Sequence, residues 1–237
     1  MEKKIIRIGI FERPEELETA AFRDYWHYHH APLAVKTWLG MQRYNQNHVV
    51  RRVELGLAAE GTRECAGMSK IWFKDLAGGD EKDPSYMTML EHDEKYLFKS
   101  MDLITCEESA YKKLEPGVPF VKYLCLLKRK PELDAKAYCK KLAETASLVL
   151  NMPGIIAYSQ NDVVSRVYND VQAEIRHYDV PYEKVPIDVA LEFYFAFDER
   201  YILNDPFGSA EGARAREAFS AISAEEDCYL CNEFRII

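Results

Sequence analysis

The sequence of 237 residues contains one short pattern twice, and that repeat limits the architectures open to it. Gly40-Met-Gln-Arg-Tyr-Asn-Gln-Asn-His-Val-Val50 aligns without a gap on Gly154-Ile-Ile-Ala-Tyr-Ser-Gln-Asn-Asp-Val-Val164, sharing Gly, Tyr, Gln, Asn and two Val. Upstream, Ile10–Leu17 aligns on Leu126–Leu133 through Arg13/Arg129, Glu16/Glu132 and Leu17/Leu133, and Phe22 falls opposite Tyr138. A small shift in offset separates the two blocks, as a loop deletion would produce. Self-similarity on this scale predicts two copies of one supersecondary unit. Leu114-Glu-Pro-Gly-Val-Pro-Phe120 carries two prolines and a glycine and marks the joint, giving halves at 1–116 and 117–237.

Each half shows the same order of elements. Ile5–Phe11 and Lys122–Leu127 are apolar and β-branched, hence strands. In Glu15–Ala31, the residues Phe22, Tyr25, Trp26, His29 and Leu33 follow helical spacing, with a break or kink expected at Pro32. Its counterpart is Asp134–Leu150. Met41–Val50 and Ile155–Val164 read as second strands, and Gly67–Asp75 and Asp188–Asp198 as third strands. Tyr86–Ile104 and Ser209–Ile222 read as second helices, with Asp83-Pro84 and Asp205-Pro206 near their starts. Glu107–Leu114 and Asp227–Arg235 complete the set. The order is βαββαβ twice, the ferredoxin-like arrangement. Helices on one face of each antiparallel sheet leave the other face to be buried, most simply against the other half, sheet to sheet. The fold class expected is therefore α+β.

Composition narrows the function. Lys plus Arg total 31 against 39 Asp plus Glu, a net charge of −8 with no long basic run, which argues against nucleic-acid binding. No apolar stretch reaches the length of a membrane helix, and no signal-peptide pattern opens the chain, so a soluble cytoplasmic protein is expected. The six cysteines then read as reduced thiols. Cys228-Tyr-Leu-Cys231 has CxxC spacing, but on a strand the two side chains face opposite ways and no second ligand pair exists, so no metal is expected.

The first helix and second strand carry a more specific pattern: Phe22, Trp26, His30-Ala-Pro-Leu33, Gly40, Tyr44 and Gln46-Asn47. Over residues 22–50 this resembles the EthD domain family. The resemblance implies a dimeric α+β barrel, here supplied as an intrachain pseudo-dimer by one chain, with a pocket between the sheet and the helices of one half. It implies a small-molecule substrate. Relatives on the superfold include cofactor-free monooxygenases, isomerases, cyclases and decarboxylases, and also haem-binding enzymes. The second half keeps Gly154, Tyr158, Gln160 and Asn161 but has Leu142 for Trp26 and Ala146 for His30. If His30 is catalytic, the second half has lost the activity.

The candidate catalytic residues are His30, Tyr44 and His48. An imidazole takes and returns protons near neutral pH. Pure helical periodicity places His29 nearer the buried stripe, whereas the motif favours His30. Strand alternation puts Tyr44, Gln46 and His48 on one face, and Asn45 and Asn47 on the other. Trp26, Gln46 and Trp72 are the candidate substrate-binding residues. Ser165–Pro186 reads as a long polar loop holding Asp170, Arg176, His177 and Tyr178. The expected function is a lyase or isomerase without cofactor, acting by proton transfer on an aromatic, polyketide-like or lactone compound. A haem protein or oxygenase, and a non-catalytic binder, are the alternatives. The duplicated chain needs no partner to close its barrel, and a further homodimer through other faces stays open.

Overall fold

The computed structural model describes residues 4–74, 81–171, 175–178, 180–198 and 205–237. The first half runs β1 (Lys4–Glu12), α1 (Thr19–Tyr25), a π-helical turn (Trp26–His30), α2 (Ala31–Thr37), β2 (Met41–Val53), β3 (Ala59–Glu60), β4 (Gly67–Phe73), α3 (Pro84–Leu97) and β5 (Ser100–Lys112). The second runs β6 (Phe120–Arg129), α4 (Ala135–Leu150), β7 (Ile155–Asp170), β8 (Ile175–Tyr178), β9 (Val189–Ala196), α5 (Ala210–Ile222) and β10 (Ser223–Arg235).

Eight strands close into an antiparallel barrel in the order β2-β4-β1-β5-β7-β9-β6-β10, with β10 returning to β2. The halves are joined edge to edge as well as face to face, through β5–β7 and β10–β2. Closure leaves none of these eight strands as a free edge. The short β3 and β8 are additions to β10 and β7.

Strand alternation sorts the side chains. Ile6, Ile8, Ile10, Met68, Ile104, Leu124 and Leu126 fill the barrel interior. The outer face of the second half packs Tyr123, Leu191, Phe193 and Phe195 beneath α4 and α5. The register also relates the halves. The upstream block aligns Ile8 with Leu124, and these pair with Lys70 and Glu192. The downstream block aligns Tyr44 with Tyr158, and these pair with Ile71 and Phe193. Both blocks thus map β4 onto β9 with one offset.

Toward one end the interior turns polar. Lys70 Nζ contacts Glu108 at 2.7 Å and also Glu192, while Lys122 Nζ reaches Glu192 at 2.6 Å, Glu233 at 2.5 Å and Asn47 Oδ1 at 2.6 Å. Burial works against both ammonium groups, yet the carboxylates beside them hold their pKa values raised, and Glu192 is correspondingly lowered.

Several sequence expectations are corrected. The first helix does not stop at Pro32. It continues to Thr37, because the π turn shifts the hydrogen-bond ladder so that Ala31 N–H donates to Trp26 O, and Pro32 then sits in the first turn of α2, where it costs no bond. The second helix ends at Leu97, not Ile104, and β5 begins at Ser100. The stretch Ser165–Pro186 is no simple loop: β7 extends to Asp170 and pairs with β8. The side chains of Asp170, Arg176, His177 and Tyr178 lie outside the described residues. Cys228 packs in the core beneath α4 and α5, and Cys231 in the barrel interior, on opposite faces. Among the described residues no helix is long and apolar enough to cross a membrane.

Candidate active site

A cavity of about 40 Å³ lies between the sheet and the helices of the first half, lined by residues including Arg7, Phe11, His30, Trp38, Tyr44 and Met101. Ser69 on β4 lines it with a small side chain, and its partner Gly9 on β1 carries none, the place of a Cβ there being taken by the Phe11 ring and Ser69 Oγ. At the corresponding register the second half carries Cys125 and Leu191, and Phe193 stands for Ile71. Those larger side chains belong to the packed second-half core. Among the described residues, larger side chains thus occupy the equivalent place.

The π turn decides which histidine faces inward. Its extra residue rotates the helix, so His30 is buried at 6% exposure while His29 is exposed. His30 Nδ1 lies 2.5 Å from Asp93 Oδ2 on α3, and the other carboxylate oxygen of Asp93 accepts from Tyr25 Oη at 2.8 Å. Burial, with the hydrogen bond to Asp93, pushes the Tyr25 phenol up to about 12. The carboxylate therefore has two donors, and His30 gives its Nδ1 proton to it. Nε2 is left for the cavity that His30 lines.

Tyr44 lines the same cavity from β2 and is fully enclosed. Its hydroxyl oxygen accepts from Trp26 Nε1 at 3.1 Å and from Gln46 Nε2 at 3.0 Å. With both acceptor positions used, the hydroxyl proton has no protein acceptor among these hydrogen bonds. Burial raises the Tyr44 pKa, so the group stays a protonated donor and not a base.

Gln46 and Trp26 bond this hydroxyl, and His48 packs against both of them. Gln46 Nε2 also donates to Trp26 O at 3.0 Å, the carbonyl at the start of the π turn. Its Oε1 accepts from His48 Nε2 at 3.1 Å and His27 Nδ1 at 3.2 Å. His48 stacks on Trp26 with ring centroids 4.9 Å apart. Burial, and the charges of Arg23 and His27, lower its pKa to about 4. The close fit requires Gly67, where any Cβ would collide with the Trp26 ring.

The sequence-derived candidates therefore divide. His30 and Tyr44 line the cavity. Trp26, Gln46 and His48 form the hydrogen-bonded layer behind Tyr44 and are not among the lining residues. Trp72 points the other way, into the barrel, because Ile71 and Phe73 take the cavity-facing positions of β4; its Nε1 donates to Glu108 at 2.8 Å. Asp93 and Tyr25 were not singled out by the sequence. Their separation of 68 residues hides the pairing. Arg7 and Glu94, both cavity-lining, were missed as well. Among the described residues no group of three or more His, Cys, Asp or Glu is arranged to hold a metal.

This constellation sits in a recognised domain. Residues 14–98 match the EthD domain. No curated protein matches the chain by sequence. Among solved structures, an anthrone oxidase-like protein superposes with a TM-score of 0.62 at 10% identity, covering 99% of this chain and 94% of that one. A protein provisionally named a monooxygenase, from Fusobacterium nucleatum subsp. nucleatum ATCC 25586, gives 0.55 at 10% identity over 98% and 92% of the chains. Another of that provisional name, from Lactobacillus acidophilus NCFM, gives 0.53 at 12% identity over 98% and 94%. At these identities the likeness establishes the fold alone.

Proposed function

We propose that the protein is an enzyme that moves a proton on a small oxygen-bearing ring compound, of aromatic, polyketide-like or lactone type, in the first-half cavity. The observation that carries this reading is one cavity holding both an Asp-oriented imidazole and a phenol whose proton has no protein acceptor among its hydrogen bonds. His30 takes the proton at Nε2 and returns it, while Asp93 fixes the ring and steadies the imidazolium that forms. Tyr44 donates to the substrate oxygen as negative charge develops there. A cavity of about 40 Å³ holds only a few water molecules, so a ring-sized ligand enters by displacing lining side chains such as Met101. No resident cofactor is part of this reading.

The chain is read here as a tandem duplication, 1–116 and 117–237, in which the second half has become a structural partner. The common offset of β4 and β9 supports this, as does the loss of His30 to Ala146 and of Gly9 to Cys125. The expected setting is the cytoplasm, with small-molecule ligands and neither nucleic acid nor membrane as partner.

The test is turnover by His30→Ala on a compound recovered with the purified protein. The variant is expected to lose about 10²- to 10⁴-fold, the usual share of a general acid–base group. Turnover near that of the unaltered protein would overturn the assignment. A second reading is an oxygenase, favoured by the names of the structural neighbours. The same base would form a ring enolate or phenolate that then consumes oxygen, and an oxygen electrode separates the two reactions. A haem macrocycle is far larger than this cavity of about 40 Å³ and would require much more side-chain displacement than a single ring compound.

A further inference from the structure

The two halves contain the same Tyr-x-Gln-Asn segment, yet its side chains are wired differently. In the first half Gln46 Nε2 donates to Tyr44 Oη at 3.0 Å. In the second, Gln160 Nε2 donates instead to Asp162 Oδ1 at 2.6 Å, and its Oε1 accepts from Tyr111 Oη at 3.4 Å. Tyr158, the counterpart of Tyr44, is left with a fully buried hydroxyl that has no hydrogen-bond partner. The residue two positions beyond each glutamine differs: His48 against Asp162.

The chemistry of those two side chains accounts for the rewiring. Trp26 O is an acceptor only, so the Gln46 atom 3.0 Å from it must be the amide nitrogen. Oε1 then faces His48 Nε2 and His27 Nδ1, and both ring nitrogens must carry hydrogen to bond it. His48 thus donates to the glutamine carbonyl and leaves the amide NH₂ directed at Tyr44. An ionised Asp can only accept, so at this position it captures the NH₂ and draws it off the tyrosine.

We propose that His48 is a positioning residue: acting through Gln46, it keeps the acceptor side of the Tyr44 hydroxyl occupied and so commits the Tyr44 proton to the cavity. His48 does not touch a ligand in this scheme. The proposal rests on the reading of Tyr44 as the donor to the substrate oxygen, but its test does not depend on that reading.

The experiment uses the full chain with tyrosine labelled with ¹³C at Cζ, whose NMR shift reports the hydrogen bonding of each phenol. Tyr44→Phe and Tyr158→Phe assign the two signals. His48→Gln retains an N–H near the position of Nε2 and is expected to leave the Tyr44 signal in place. His48→Asp is expected to shift it. The reciprocal Asp162→His is expected to shift the Tyr158 signal, and it decides the matter if His48→Asp does not fold. Retention of both signals at their original positions, in folded His48→Asp or in Asp162→His, would overturn the proposal. If instead these shifts appear but Tyr44→Phe turns over the recovered compound at the original rate, the positioning stands and the oxyanion role of Tyr44 falls.

Discussion

His48 carries its own pH signature. In the folded protein it stays neutral down to about pH 4, chiefly because it is buried. In the unfolded chain it takes up a proton near pH 6.5. Between those values the unfolded state binds more protons, so the stabilising contribution is fully present above about pH 6.5 and is lost as the pH falls through about 4. Urea denaturation at pH 7 and pH 5 should therefore show less pH dependence in His48→Gln, which does not titrate, than in the unaltered protein. Equal pH dependence would place the imidazole in solvent. At this scale the sequence was informative where local geometry rules. Alternation put Tyr44, Gln46 and His48 on one face, and their mutual hydrogen bonds lie on that face. It was silent on Asp93, which meets His30 from another helix, and on the direction of each proton, which depends on which partner can only accept.

The element that governs the site is the π turn at Trp26–His30. A regular helix would carry His29 inward, as 3.6-residue periodicity predicts. Nothing in helical periodicity announces an inserted residue, so the inward histidine was decided by motif and not by spacing. The end of α3 was misplaced for a related reason. Leu97 and Met101 keep i, i+4 spacing, so the apolar pattern of a helix runs on, although the backbone turns extended at Phe98. Opposite the π turn, β4 begins at Gly67, where the Trp26 ring takes the place a Cβ would need. The second half has Val189 and Leu142 at these places, a larger strand residue beneath a smaller helix residue. Gly67→Ala is expected to force Trp26 away and to lower stability by about 1–3 kcal/mol, the usual cost of overpacking. Chemical denaturation measures this, and a variant as stable as the unaltered protein would mean that Trp26 does not hold this position.

Across the whole molecule the sequence foretold the main order of strands and helices, because helical spacing and strand alternation are periodic signals. The closure of the barrel by β5–β7 and β10–β2 was not visible, since edge pairing between distant segments leaves no periodic trace. The interior ion pairs did leave one: Lys122 and Glu192 are charged residues set inside otherwise apolar strands, a pattern that asks for a buried partner. The central claim at this scale is that the proposed ligand site lies in the first half, where Ser69 lines the cavity and the corresponding residue of the second half is the larger Leu191. Gentle native mass spectrometry of the purified full chain, with released small molecules identified, tests it directly when run beside Ser69→Leu, which places the second half's residue in the first-half cavity. The account predicts one oxygen-bearing ring compound per chain, lost in Ser69→Leu while the protein remains folded. Two copies per chain, or a compound retained in full by folded Ser69→Leu, would contradict it.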